Sequence, residues 1–259
     1  MGSKIPAVQL TDNIWRFSES EENPFVDAYL ICGSKRALVA DALTAPPDLY
    51  QAVRDITELP LDLVLTHGHH DHAGASIKGF KDAGVPIYLY MRDYSLIRDG
   101  EFGGIYTEDW FTDVKDGEKF DLGDRVLEII AVAGHTPGSL VLYDSGNQEL
   151  FTGDTIGAGV FWMQLPSSLP IDIFNNELEA LYQRVKDDEK LIIYPGHSRQ
   201  SPQQLTIKYL EDVRAITQGL LTGEMTGIPA SMDFHGIPIN YSRIEYGQVW
   251  DYCYRPERI

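Results

Sequence analysis

The stretch Leu61–Gly74, LDLVLTHGHHDHAG, places four of the chain's seven histidines and Asp71 within six positions at the end of an apolar run. The run LDLVLTH is short and continuous, which reads as a strand buried on both faces. ASIKGFKDAG (75–84) then reads as a helix stopped by Gly84, and VPIYLY (85–90) as the next strand, which makes a β-α-β unit. The polar cluster Thr66-His67-Gly68-His69-His70-Asp71-His72 therefore falls on the turn between strand and helix. Neutral imidazole and carboxylate are ligands for first-row metal ions, and zinc accepts both. Four ionisable groups packed this tightly would otherwise repel one another when charged or lose solvation. On such a turn His67 and His69 can face one ion while Asp71 and His72 face a neighbouring one. His70 points another way along the turn and is read as a non-ligand.

The same context recurs downstream. AVAGHTPGS ends an apolar run at His135, ELFTGDT ends another at Asp154, and LIIYPGHS ends a third at His197. Of the seven histidines, His67, His69, His72, His135 and His197 all lie at such strand ends. The reading is that they converge, with Asp71 and Asp154, on a metal site.

Around these motifs the pattern is mixed α/β. VQLTDNIWRFS, FVDAYLICG and RALVADAL read as strands, and so do RVLEIIAVAG, SLVLYDSG and KLIIYPG. Helices are expected over 48–56, over 171–187 with Asp172 or Asn175 as N-cap, and over 201–224 begun by Ser201 and Pro202. This order suits a two-sheet sandwich with helices on its outer faces, formed by a single domain over residues 1–259. Residues 91–120, polar and aromatic, read as an insertion at the active site. The segment 221–259 reads as an aromatic-rich cover. Aromatic side chains in these variable parts and in 156–172 are candidates to line an apolar substrate pocket: Phe161, Trp162, Met163, Phe234, Tyr241 and Tyr246, with His235 beside them.

Composition narrows the partners. A net charge of −18 repels phosphate backbones, so nucleic acid is not expected. No segment approaches the ~20 apolar residues of a membrane span. The opening MGSKIPAVQL has no long apolar core or cleavage signal, and only Cys32 and Cys253 are present, too few for a disulfide framework. A cytoplasmic protein acting on a small molecule is the expectation, and exposed aromatics in 91–120 or the tail are candidates for a homodimer contact. There is no G-x-S-x-G elbow, no Walker A loop and no G-x-G-x-x-G after a strand.

The motif Thr66-His67-x-His69-x-Asp71-His72 resembles the signature of the metallo-β-lactamase superfamily. Gly134-His135-Thr136-Pro137-Gly138-Ser139, Thr152-Gly153-Asp154-Thr155 and Pro195-Gly196-His197 resemble its later motifs, in order, in variants most similar to the glyoxalase II-type hydrolases. The resemblance covers roughly residues 8–220. It implies a four-layer αββα sandwich with a two-metal site at one edge of the sheets. His67, His69 and His135 would hold the first metal, Asp71, His72 and His197 the second, and Asp154 would bridge both. Two Zn2+ ions are the expected cofactors, although iron and manganese accept the same donors.

The activity implied is hydrolysis: a hydroxide generated on the metals attacks the carbonyl of an ester, lactone or thioester, with Asp71 orienting the nucleophile or shuttling its proton. The tail is short and its Arg243, Arg255 and Arg258 are scattered among acids, which departs from a glutathione-binding domain and points to a fairly apolar substrate. The same motifs leave open a mononuclear-iron persulfide dioxygenase, a small-phosphodiester hydrolase and a non-catalytic metal-binding module.

Overall fold

The structure is a computed structural model that describes residues 5–19, 25–44, 49–100, 106–234 and 236–259. A seven-stranded sheet follows chain order: β1 (Ala7–Thr11), β2 (Ile14–Ser18), β3 (Asp27–Cys32), β4 (Ala37–Ala40), β5 (Leu61–Val64), β6 (Ile87–Leu89) and β7 (Thr112–Asp113). Its first four strands are antiparallel neighbours, and β4 to β7 are parallel. The helices α1 (Leu49–Arg54) and α2 (Ile77–Asp82) make two of the crossovers that parallel pairing demands, and α3 (Tyr94–Asp99) lies between β6 and β7. A five-stranded sheet comprises β8 (Lys119–Asp121), β9 (Val126–Ala131), β10 (Leu140–Asp144), β11 (Glu149–Gly153) and β13 (Ile192–Pro195), in the order β13-β11-β10-β9-β8. Two longer helices, α4 (Ile171–Val185) and α5 (Ile207–Thr222), pack against it.

The layering follows from the period of two along each strand. In β3, Ala28 and Leu30 join Val39, Leu63, Leu49, Val53, Ile77 and Phe80 in a cluster under α1 and α2. Tyr29 and Ile31 point the other way and meet Leu38, Leu140, Leu142 and Phe151 between the two sheets. In β10, Val141 and Tyr143 face Phe174, Leu178 and Val213 of α4 and α5. Both faces of both sheets are thus covered, which gives the αββα order.

A third sheet adds to the two expected from sequence. It has four strands, β12 (Val160–Met163), β16 (Val249–Tyr254), β15 (Ile237–Tyr246) and β14 (Ile228–Phe234). The segment 221–259 therefore forms three paired strands, and β16 closes on the sandwich through parallel pairing with β12. Residues 91–120 likewise carry scaffold, since β7 extends the first sheet and β8 edges the second.

Helix starts differ from the sequence reading at two places. Pro170, in extended backbone, precedes α4, so neither Asp172 nor Asn175 caps it. Helix α5 begins after Thr206 rather than at Ser201. Leu205 forms a β-bridge with Ile193, and Gln204 donates to the Ile193 carbonyl, so this stretch is spent on the sheet edge before the helix can start. Both cysteines are free and buried. Among the described residues no helix is long and apolar enough to cross a membrane.

Candidate metal centre

Strand direction brings the polar motifs together. Both β9 and β11 run antiparallel to β10, and β13 runs parallel to β11, so the C-terminal ends of β9, β11 and β13 share one edge. Those ends deliver His135, Asp154 and His197. The end of β5 meets the same edge, where the Leu140 amide donates to the Thr66 carbonyl at 2.9 Å. Gly153, at φ 49°, lets the chain pass Thr66: a Cβ there would lie 2.1 Å from the Thr66 hydroxyl oxygen.

The donor atoms fall into two groups, His67, His69 and His135, and Asp71, His72, Asp154 and His197, with those of each group within 4.8 Å of one another. Asp154 touches both. Its Oδ1 is 3.2 Å from Nε2 of His72 and of His197, and its Oδ2 is 3.7 Å from Nε2 of His135. Asp71 Oδ2 lies 3.5 Å from His197 Nε2 and 3.8 Å from His72 Nε2. Gly196 leaves the space for this approach, since a Cβ would stand 2.3 Å from His72 Cε1 and 2.9 Å from Asp154 Oδ1.

Each imidazole is oriented through the nitrogen that faces away from the cluster. His135 Nδ1 donates to the Trp162 carbonyl at 2.7 Å and His197 Nδ1 to the Phe25 carbonyl at 2.5 Å. His72 Nδ1 donates to Asp41 Oδ2 at 2.8 Å. The Thr66 hydroxyl donates to the same Asp41 oxygen and so presents its lone pair to His67 Nδ1 at 3.1 Å. His69 Nε2 contacts the Ser167 hydroxyl at 2.9 Å. These contacts leave the second ring nitrogen of each of these five imidazoles facing inward, where it can ligate a metal once it is free of a proton, the arrangement that outer partners impose on metal-binding imidazoles.

Burial sets the charge states. It is the main cause that holds His67 well below the ordinary imidazole range and His69 at about 3, with neighbouring imidazoles adding to it. Burial also opposes charge on His72 and His197, but the carboxylates, Asp154 foremost, override it and raise both, His197 to about 10. Burial would raise Asp71 and Asp154 too, yet the facing imidazoles hold both below the usual carboxylate range.

The side chains fit divalent metal ions. His67 Nε2 is buried and makes no hydrogen bond, which is costly in a low-dielectric interior unless a cation takes its lone pair. The donor set is imidazole and carboxylate, suited to first-row metals.

Two carboxylates that the sequence reading missed hold the loops. Asp41, buried at the end of β4 with φ 66°, accepts the Thr66 amide and hydroxyl besides His72. Asp93 accepts the amides of Gly68 and Gly138 and the Thr136 hydroxyl, and so ties the His67–His72 loop to the His135 loop. Asp93 lies within 91–120, which makes that segment part of the frame of the site. The only sequence signal for Asp41 is a carboxylate closing the apolar run ALVA, the same strand-end context as the other motifs.

A chamber of about 270 Å3 opens onto the cluster, walled by Phe25, Trp162, Leu165, Gln200 and Phe234. Of the aromatic candidates, Trp162 and Phe234 line this chamber. Phe161 is corrected: it is fully buried, stacked on Tyr252 with ring centroids 4.9 Å apart, because alternation along β12 turns Phe161 and Met163 into the core and Trp162 outward. Tyr241, opposite Ala230 in the third sheet, does not line the chamber, and Tyr246 is 42% exposed on β15. His235 lies outside the described residues. Arg258 donates to the carbonyls of Leu165, Pro166 and Ser168 and pins the loop that carries Ser167.

Comparison with known proteins agrees with this architecture. The sequence model of the metallo-beta-lactamase superfamily matches residues 23–197, a span that contains all seven clustered side chains. The chain is 26% identical over 228 residues to the human (Homo sapiens) acyl-coenzyme A thioesterase MBLAC2, covering 70% of this chain and 75% of that protein. It is 25% identical over 180 residues to the probable metallo-hydrolase YqgX of Bacillus subtilis (strain 168), covering 66% and 81%. A metallo-beta-lactamase from Pontibacter korlensis superposes with a TM-score of 0.63 at 17% identity, over 83% of this chain and 99% of that one. The chain belongs to the metallo-beta-lactamase superfamily.

Proposed function

We propose that this member of the metallo-beta-lactamase superfamily is a two-metal hydrolase that cleaves the carbonyl bond of an uncharged ester, lactone or thioester. The observation that carries the reading is Asp154, whose two oxygens face the two groups of imidazoles separately. His67, His69 and His135 would hold one ion, Asp71, His72 and His197 the other, and Asp154 both. When bound, such ions supply Lewis acidity and make water acidic enough to ionise near neutral pH.

The chain's own groups supply the rest. Asp71 is 13% exposed, lines the chamber and, unlike Asp154, faces the imidazoles of one group only. Its carboxylate stays ionised, held there by His72 and His197 against the effect of burial. It can therefore accept a hydrogen bond from the attacking water and orient it toward the carbonyl. Phe25, Trp162, Leu165 and Phe234 exclude bulk water and hold the substrate by apolar contact. No lysine or arginine lines the chamber among the described residues, which argues against an anionic leaving group of the kind in acyl-coenzyme A or glutathione thioesters. The thioesterase activity in the name of the human relative supports the bond class.

Metal analysis of protein purified without added metal, joined to a panel of neutral lactones, esters and thioesters, tests the reading. Two divalent ions per chain and hydrolysis that chelator removes are expected. A single iron with oxygen uptake and no hydrolysis would overturn it.

A further inference from the structure

A second cavity, of about 780 Å3, adjoins the chamber and shares His69, His70 and Phe234 with it. The remaining wall comes from elements distant in sequence: Ser95, Leu96 and Asp99 on α3 with Gly100 after it, Pro166 and Ser167 on the loop after β12, and Gly68. Phe234 closes the apolar face of β14. Along that strand Ala230, Met232 and Phe234 are half-buried while Ser231 and Asp233 are exposed, so its alternation aims the apolar side chains toward the body of the protein. Met232 Sδ accepts from Gln164 Nε2 at 3.6 Å, which seats this face beside the loop. Lysine and arginine are again missing from the lining among the described residues. The one carboxylate there, Asp99, is exposed and paired with Arg98, Oδ1 to Nε 2.8 Å, so its charge is met outside the groove.

We infer that this outer groove binds an unbranched hydrocarbon arm of the substrate, so that the enzyme selects neutral esters and thioesters with a medium-length alkyl chain. The inference rests on the hydrolase reading for its chemistry and on the groove alone for its selectivity. Half-buried Leu96 and Phe234 and exposed Pro166 present apolar surface to the cavity that His69 also lines, and a chain laid there removes that surface and its own from water. An anionic arm would find no lysine or arginine in the described lining and would lose solvation.

Two measurements test this on the intact, metal-loaded protein. The first is kcat/KM for p-nitrophenyl esters from acetate to decanoate, and for acetate esters with the chain moved to the alcohol side. The second is calorimetric binding of neutral n-alkyl amides of the same lengths, which needs no turnover. Both should rise with each methylene, by up to about fourfold where burial is complete, and level off once the groove is full. Leu96→Asp and Phe234→Ala should each flatten the dependence; Leu96 sits half-exposed on α3, so that variant keeps the test open if the other misfolds. Affinity and kcat/KM independent of chain length, or a dependence unchanged in both variants, would overturn the groove. Length-dependent binding without cleavage of any ester or thioester would sink the hydrolase reading and leave the groove standing.

Discussion

The two groups of metal-binding side chains occupy one sheet edge and use the same residue types, yet they are electrostatic opposites. His67, His69 and His135 form an all-imidazole cage. Its outward nitrogens rest on a threonine hydroxyl, a serine hydroxyl and a backbone carbonyl, and burial keeps His67 and His69 uncharged. In the other group Asp71 and Asp154 face His72 and His197, and Asp41 stands behind His72, so carboxylates hold both imidazoles toward their charged form. A dication in the first cage meets Asp154 as its one carboxylate; in the second it meets Asp71 as well and must displace protons. The difference teaches that the cages are unequal before any ion arrives, and that Asp154 is the piece that couples them.

The largest expected effect comes from removing that coupling. Asp154→Ala should lower kcat well beyond the ~10–100-fold typical of losing an outer partner, with loss of metal from both cages. Full occupancy of either cage in that variant, measured by metal analysis, would break the idea of a shared ligand. Next is Asp41→Asn. Asparagine tolerates the left-handed backbone at this position but cannot hold His72 as a carboxylate does. Metal affinity at the second cage should fall by ~10–100-fold, with a smaller loss at the first, which Asp41 reaches only through the Thr66 hydroxyl.

Proton release sharpens the comparison without mutation. His197 is raised to about 10, so at neutral pH it carries a proton that an incoming ion must expel. Affinity at the second cage should therefore weaken as pH falls from about 10. His69 is lowered to about 3, so it holds no proton for an incoming ion to expel across the neutral range. Calorimetry in buffers of different ionisation enthalpy separates the two, and equal proton release from both cages would contradict the contrast. The smallest effects are expected at the edge of the first cage. Ser167→Ala removes the hydroxyl on His69 Nε2 and should cost a few-fold in affinity there alone. Arg258→Ala acts one step further out, through the carbonyls of the Ser167 loop, and should cost less still. A cobalt spectrum that changes at the second cage instead would reverse the assignment.

Much of this site could be read from the chain because each ligand follows an apolar strand directly, and a strand that ends in a glycine and a polar side chain says where its end must lie. The aromatic candidates were less legible. Phe161, Trp162 and Met163 are adjacent, and nothing local says which of them faces inward. That choice belongs to the pairing of β12 with β16, a strand some ninety positions later, and it buries Phe161 while turning Trp162 to the chamber. Asp93 looked like part of a polar insertion, and only its contacts with Gly68, Gly138 and Thr136 reveal it as the tie between two ligand loops.

What the amino-acid order alone determined is the layered α/β plan and the identity of the clustered histidines and aspartates, because side-chain period and strand-end chemistry are local properties. What only the tertiary structure decided is how those residues divide into unequal cages, which carboxylates stand behind them, and that a third sheet brings Phe234 to the groove. Those features depend on strand direction, register and burial, which arise between segments far apart in the chain and are written in none of them singly.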